Sequence, residues 1–248
     1  MVLRAVRTAR ATVRSLRIYY GDRARAAAMD RLYRAFIQPG DLVFDVGAHV
    51  GDRVASFRRL GARVVAVEPQ RAMAIVLRLL YGLNRSVAIE QAAVGREPGR
   101  ARIMINTDNP TVSSVSPAFV DAAFGAPGWE TQRWTGFDDV AVTTLDELIA
   151  RHGRPSFIKL DVEGFEAEAL NGLSQAVPAL SFEFTTIQRE VAIACIERCA
   201  GLGYISFNAA LGESQTLLDD WVNAEDIARW LKDLPQSANS GDVYAVAG

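Results

Sequence analysis

The stretch that decides the fold runs from Leu42 to Gly51 and reads LVFDVGAHVG. Its first half, Leu42–Val46, is a short apolar run of residues typical of a buried strand. Its second half, Gly47–Gly51, is a turn, and Asp52–Leu60 then has the pattern of a helix closed by Gly61. A strand, a glycine-bearing turn and a helix in this order predict the first βα unit of a parallel sheet.

The same alternation continues along most of the chain. Arg63–Val67 (RVVAV) predicts a second buried strand, and a helix follows from about Gln70 to Tyr81. Further strands are predicted at 87–93, 156–160, 179–184, 204–208 and 242–246, with helices at 144–148, 164–173, 191–200 and 224–234. We therefore expect an α/β fold with a doubly wound, mostly parallel seven-stranded sheet, helices on both faces and a last strand that pairs antiparallel.

One segment breaks this rhythm between residues 95 and 143. Half-exposed strands are predicted at 101–106 and 140–143, and residues 107–137 collect prolines, glycines and small polar residues. We expect 107–137 to form a lid or substrate loop, because long loops inside compact domains are usually functional or disordered. Its two tryptophans, Trp129 and Trp134, either stack on a substrate or fix the loop to the body of the protein.

Composition excludes several classes of protein. The chain has 248 residues, half of them hydrophobic, with 27 basic and 29 acidic side chains. This is neither a disordered chain nor a disulfide scaffold, and two histidines with two cysteines are too few for a zinc site. No stretch of 18 residues lacks a charge, so we expect no transmembrane helix and a cytoplasmic protein.

The positive charge is concentrated at the start of the chain. Residues 1–40 hold nine arginines against Asp22 and Asp30, and they are expected to form a basic helical extension ahead of the domain at 41–248. A stripe of apolar residues at helical spacing follows Val2, Val6, Ala9, Val13, Leu16 and Tyr20. Either this helix packs on the body with its arginines solvated, or residues 1–20 lie on an anionic surface at the inner face of the membrane. Arginine is preferred over lysine throughout the chain, so nucleic-acid binding is not expected.

Two acidic residues suit a nucleoside cofactor that carries a positive charge. The spacing of Gly47 and Gly51 is not the G-x-G-x-x-G of dinucleotide enzymes, which argues against a pyrophosphate cradle. Asp45, below the turn, can face an ammonium group or a sulfonium cation. Glu68, at the end of the second strand, can accept hydrogen bonds from the 2′- and 3′-hydroxyls of a ribose. His49 is either a general base or a histidine that donates to a nearby carbonyl.

A second group of charged residues follows the fourth core strand. Strand alternation points Lys159 and Asp161 to the same side, at the edge where parallel sheets bind ligands. We predict that Asp161 accepts the proton of, or orients, an attacking oxygen, and that Lys159 tunes it or holds the developing charge. Glu163 and Glu183 are candidates for substrate contact. Asp161 and Glu183 could bind Mg²⁺ with one more oxygen, but nothing in the spacing requires a metal and none is assigned.

Four motifs together resemble the FkbM family of S-adenosylmethionine-dependent methyltransferases. They are DVGAHVG (45–51), VVAVEP (64–69), TLDEL (144–148) and FIKLDVEGFEAEAL (157–170). The resemblance covers about residues 41–208 and implies a class I methyltransferase fold with strand order 3-2-1-4-5-7-6. The family usually has Asn where this chain has His49.

The resemblance also implies roles for individual residues. Asp45, Gly47 and Gly51, with His49 in the same turn, would line the methionine end of S-adenosylmethionine. Glu68 would bind the ribose, and Glu90 or Gln91, at the end of the third strand, would neighbour the adenine.

The expected function is methyl transfer to a hydroxyl of a glycan, glycolipid or natural product. The alternative is a protein that binds NAD or a nucleotide sugar, or a non-catalytic relative with a membrane-surface helix. The sequence names neither the acceptor nor the oligomeric state.

Overall fold

The computed structural model describes residues 2–248, with side chains from residue 7 onward. The nine helices of the described chain are α1 (Val2–Gly21), α2 (Arg23–Tyr33), α3 (Asp52–Arg59), α4 (Arg71–Tyr81), α5 (Pro117–Ala123), α6 (Leu145–His152), α7 (Glu166–Asn171), α8 (Arg189–Leu202) and α9 (Ala224–Asp233). The ten strands are β1 (Leu42–Val46), β2 (Arg63–Val67), β3 (Val87–Glu90), β4 (Ala93–Val94), β5 (Gly99–Ile105), β6 (Gly136–Thr143), β7 (Phe157–Leu160), β8 (Ala179–Thr185), β9 (Tyr204–Leu211) and β10 (Ser240–Ala247).

Seven strands form one sheet in the order β3-β2-β1-β7-β8-β10-β9. The first five strands in this order pair in parallel, whereas β10 is antiparallel to both β8 and β9. In the order of these strands along the chain this is 3-2-1-4-5-7-6, so the predicted fold class and its strand order are confirmed. The order reverses between β1 and β7, and doubly wound sheets bind ligands at the carboxyl ends of the strands at such a point.

Hydrophobic clusters cover both faces of this sheet. One includes Phe44, Leu160 and Phe182 and extends to α8 and α9. The other includes Phe57 and Phe157 and also takes Met29, Leu32 and Tyr33 from α2. The second helix of the basic extension therefore shares the core of the domain, because its apolar face is buried there.

A second, three-stranded sheet has the order β4-β6-β5. β5 and β6 form an antiparallel pair that is longer than the two short strands predicted here, since β6 already begins at Gly136. The sequence suggested a loop at 107–137, but the structure shows that this segment is partly ordered into regular elements. It contains α5, which is capped by Ser116, and its Phe119 is fully buried in a small apolar cluster.

Helix α1 packs with a different face from the one predicted. Ala11, Thr12 and Ser15 are buried, whereas Val13 is 49% exposed. The predicted contact of Val2 and Val6 lies outside the described side chains. The small residues face the protein because they allow a close approach to the segment at 106–112, to which Arg7 and Arg14 also bind through Asp108. Among the helices of residues 2–248, none has both the length and the apolar character of a membrane span.

Candidate functional site

A cleft lies at the carboxyl ends of β1, β2, β7 and β8, where the strand order reverses. The space between its walls, counted together with the solvent at its mouth, is about 1220 Å³. Among the residues that the structure describes, seven acidic side chains line it, and Arg53 and Lys159 are the two permanent positive charges there. Such a cleft favours ligands that carry positive charge.

The glycine turn between β1 and α3 forms one end of the cleft. Gly47 has a φ of +87°, and a Cβ there would lie 1.7 Å from the carbonyl oxygen of Asp161. This glycine is therefore required by the contact between two strand ends, in addition to any ligand contact. Gly51, predicted to line the cofactor, lies outside the cleft wall, where a Cβ would meet Leu77 and Tyr81 at 2.8 Å.

Asp45 lies at the bottom of the cleft. It is 1% exposed, and its Oδ2 has no hydrogen-bond partner among the described residues. Burial raises the pKa of Asp45 to about 7, although Lys159 opposes the shift. A buried carboxylate without a donor fits a cationic group, so Asp45 suits the ammonium or sulfonium of S-adenosylmethionine.

Glu68 also lines the cleft, but its two oxygens already accept main-chain hydrogen bonds. Oε2 accepts from the His49 N–H at 2.9 Å and Oε1 from the Gln70 N–H at 2.8 Å. Burial raises the pKa of Glu68 to about 7 despite these bonds. Each carboxylate oxygen keeps a second acceptor position, so binding of a ribose to Glu68 stays a prediction.

The predicted adenine contacts lie outside the cleft lining. Glu90 pairs with His152, whose Nε2 is 2.7 Å from Oε1, and Gln91 accepts from Arg78 at 3.0 Å. His152 is the last residue of α6. The wall next to β3 is formed by small and apolar side chains, which suit the face of a purine: Ala92, Ala93, Ile103, Val112 and Val115.

Lys159 and Asp161 are brought together as strand alternation predicts. Lys159 is 1% exposed, and its Nζ donates to Asp161 Oδ2 at 2.7 Å and lies 3.9 Å from Asp242 Oδ1. The two carboxylates raise the pKa of Lys159 against the effect of its burial, and Lys159 lowers the pKa of Asp161. Asp161 is therefore ionised at neutral pH and only weakly basic.

Glu163 and Glu183 join Asp161 at the open part of the cleft. One carboxylate oxygen from each of the three residues lies within 4.8 Å of the others. Burial, and then the neighbouring carboxylates, raise the pKa values of Glu163 and Glu183. Glu166 is buried outside this group, where its Oε1 accepts from the Val162 N–H.

The two tryptophans predicted to contact substrate are held by the protein itself. Trp129 is 7% exposed, packs edge-on against Phe119 and donates to Asn239 Oδ1 at 3.2 Å. Trp134 donates to the Val112 carbonyl at 2.8 Å and lies outside the cleft lining. Both contacts favour the interpretation in which the indoles fix this segment, although one face of Trp129 borders the cleft.

His49 has a φ of +46° at the edge of the cleft, and Tyr19 of α1 packs edge-on against its ring at 5.7 Å. Its Nε2 is buried with no hydrogen-bond partner among the described residues. Burial lowers the pKa of His49 to about 4, so the ring is neutral and a weak base at pH 7.

The sequence did not reveal an ion-pair network beside the glycine turn. Arg53 bonds to Asp52 at 2.7 Å and to Glu213 at 3.0 Å, and Arg25 of α2 binds the same two carboxylates. These groups come from three distant segments, so no local motif signals their contact. Asp242 was also missed, although its strand was predicted, because only the antiparallel register with β8 sets it opposite Glu183.

The fold and this cleft together define a class I methyltransferase. Its strand order, its glycine turn and the unpartnered Asp45 fit S-adenosylmethionine, which supplies the methyl group when bound. The profile of the Methyltransferase FkbM domain matches residues 45–233, which is most of the chain. The chain belongs to this family and is an S-adenosylmethionine-dependent methyltransferase. The alternatives of an NAD or nucleotide-sugar protein and of a non-catalytic relative are set aside on this finding.

Several solved structures are similar to the chain at low sequence identity. An O-methyltransferase from Bacillus cereus in complex with SAH is 11% identical, with 96% of this chain and 90% of that chain covered and a TM-score of 0.48. A TehB-like SAM-dependent methyltransferase from Corynebacterium glutamicum is 12% identical, with 89% and 88% covered and a TM-score of 0.45. A precorrin-6y C5,15-methyltransferase from Geobacter metallireducens is 13% identical, with 90% and 87% covered and a TM-score of 0.44. No curated protein matches the chain. The assignment is carried by the family match.

Proposed function

We propose that the protein transfers the methyl group to a hydroxyl oxygen of a glycan, glycolipid or natural product. The observation that carries this proposal is the group of three carboxylates, Asp161, Glu163 and Glu183, at the open part of the cleft. A neutral hydroxyl is a poor nucleophile that must be oriented and must lose its proton. Carboxylates can accept a hydrogen bond from the hydroxyl and then its proton.

Asp161 is the residue we expect to hold the acceptor hydroxyl. Because Lys159 keeps it ionised, Asp161 is an acceptor of hydrogen bonds over the whole physiological pH range. Its low basicity implies that the proton leaves late. As the new carbon–oxygen bond forms, the attacking oxygen gains positive charge and its proton becomes acidic enough for a weak base. Asp45 is expected to hold the cationic end of the cofactor during this step.

The proposal is tested with a panel of sugars, glycolipids and polyketide-type alcohols incubated with S-adenosylmethionine. Mass spectrometry should detect a product that has gained one CH₂ group. Asp161→Asn should lower kcat by about 10²- to 10⁴-fold, the range for loss of a general base, and leave the affinity for S-adenosylhomocysteine nearly unchanged. The exposed Asp220→Asn is the matched control.

Two results would contradict the proposal. One is methylation of amine or thiol acceptors alone, with no hydroxyl in the panel modified. The other is an Asp161→Asn variant with the turnover of the unmodified protein, which would show that the oxygen is deprotonated elsewhere.

A further inference from the structure

We propose that Asp161, Glu163 and Glu183 bind a hard divalent cation, such as Mg²⁺, Mn²⁺ or Ca²⁺, at the open part of the cleft. The arrangement of the three oxygens fits such an ion. They lie within 4.8 Å of one another. Ligands on opposite sides of Ca²⁺, at about 2.3–2.6 Å from the ion, are about 5 Å apart, and those around Mg²⁺ are closer. Small side-chain movements would therefore complete three sides of a coordination shell.

Two of these carboxylates, those of Glu163 and Glu183, have oxygens that receive no hydrogen bond within the described chain. Glu163 is 9% exposed. Within the described chain its hydrogen bond is made at the main-chain carbonyl, which accepts from Ser114 Oγ at 2.6 Å, and its carboxylate receives none. Glu183 Oε2 is inaccessible to solvent and has no hydrogen-bond partner among the described residues. Buried carboxylates of this kind are costly unless they are protonated or bind a cation.

The charges around the three residues are not balanced within the described chain. Lys159 is the one cation in direct contact with this group in the described chain, and it already neutralises Asp161 and faces Asp242. Arg53 is already ion-paired with Asp52 and Glu213. Two carboxylates are therefore left without a positive partner, and one divalent cation matches their charge. A donor set made of carboxylate oxygens suits Mg²⁺, Mn²⁺ and Ca²⁺.

The consequence for the acceptor rests on the proposed function. A cation bound here would also contact the acceptor hydroxyl and lower its pKa, which would help a base as weak as Asp161. An acceptor with a second oxygen beside the reacting hydroxyl, such as a vicinal diol of a sugar, could chelate the cation. We therefore expect vicinal diols to be preferred over isolated alcohols.

The cation site is tested without cofactor or acceptor, so that its result is separate from that for the proposed function. Mn²⁺ is titrated into the full-length protein and free Mn²⁺ is followed by electron paramagnetic resonance, with Mg²⁺ and Ca²⁺ as competitors. We expect one Mn²⁺ per chain. Glu163→Gln and Glu183→Gln should each weaken binding at least tenfold. Glu168→Gln, a nearby surface carboxylate paired with Arg96, should leave it unchanged.

Thermal unfolding separates loss of the site from loss of the fold. Each Gln variant removes one unpartnered carboxylate, so without metal we expect its Tm to equal or exceed that of the unmodified protein, and added Mn²⁺ should raise Tm only where the site is intact. The proposal is overturned if the unmodified protein binds no Mn²⁺ at millimolar concentration. It is also overturned if folded Glu163→Gln and Glu183→Gln proteins bind as tightly as the Glu168→Gln control.

Discussion

Replacing Lys159 by methionine should destabilise the protein far more than the same change at its other lysine. Lys159 is buried at the centre of the cleft floor, where it contacts Asp161 at 2.7 Å and faces Asp242 at 3.9 Å. Methionine has nearly the same volume, so the change removes charge without leaving a large cavity. Loss of one partner of an ion pair costs about 3–5 kcal/mol where the other charge stays fully buried; the Asp161 side chain is 30% exposed, so this range is an upper bound here. For a domain of this size that corresponds to roughly 6–20 °C in Tm.

The loss in free energy of unfolding caused by Lys159→Met should depend on pH in a defined direction. The pKa of Lys159 is raised in the folded state, so its contribution is complete below the ordinary lysine pKa and is lost only as pH rises through the higher folded value. The pKa of Asp161 is lowered, so its contribution is present above the ordinary Asp pKa and is lost as pH falls through the folded value. In Lys159→Met, Asp161 can relieve its burial by taking up a proton. This loss should therefore be smaller at pH 5 than at pH 8.

Urea unfolding of the protein without ligands at pH 5 and pH 8 measures this effect, and Lys232→Met is the matched control. Lys232 is the second of the two lysines in the sequence and is exposed in the last turn of α9. Its replacement should change the free energy of unfolding by less than about 0.5 kcal/mol. Adding Asp161→Asn to Lys159→Met should restore a large part of the loss. Equal free energies for the two methionine variants, or no recovery in the double variant, would refute the ion-pair reasoning.

Three further measurements test the turn, the cofactor contact and the basic helix. Gly47→Ala should give little folded protein, because its Cβ would overlap a main-chain oxygen at the end of β7. Gly99→Ala, whose Cβ would have nothing within 4 Å, should express and melt normally, and similar yields of the two variants would contradict this. Calorimetry should show S-adenosylmethionine binding up to about tenfold more weakly at pH 6 than at pH 8, because Asp45, with a pKa of about 7, must be ionised to hold a cation. Equal affinities at the two pH values would contradict this. Finally, if α1 contacts an anionic membrane, replacing the exposed Arg10 and Arg17 by Gln should weaken binding to anionic vesicles about 30-fold, because each arginine near the surface contributes about 1 kcal/mol. Vesicle sedimentation measures this binding. If the unmodified protein binds anionic and neutral vesicles equally, the contact is excluded.

Local patterns predicted those parts of the site that depend on one strand and its end. Alternation along β7 placed Lys159 and Asp161 on one side, and they share a hydrogen bond of 2.7 Å. The apolar run before Gly47 predicted β1 with its observed bounds. In both cases the interaction that decides the conformation lies within a few residues of sequence, or follows from the pleat of a strand.

The patterns failed where packing against a distant segment decides the outcome. The apolar stripe of α1 pointed to Val13, yet the helix buries the small residues Ala11 and Ser15, because close approach to the segment at 106–112 is possible only there. Composition alone suggested that 107–137 was a loop, although Phe119 and Trp129 supply enough apolar surface for a small core of their own. Contacts that join segments far apart in the chain leave no periodic signal in the sequence.

The ionisation of the cleft links folding to ligand binding. Burial raises the pKa values of Asp45 and Glu68 to about 7, so the folded protein binds more protons than the unfolded chain between about pH 4 and pH 7. For these two groups the stability of the ligand-free protein therefore falls as pH rises through that range. A ligand that brings positive charge to Asp45 reverses the effect, because the ionised carboxylate then has a partner. The same carboxylate that weakens the empty fold thus favours the sulfonium and ammonium of S-adenosylmethionine over neutral nucleosides, and binding of this cofactor should release protons near neutral pH.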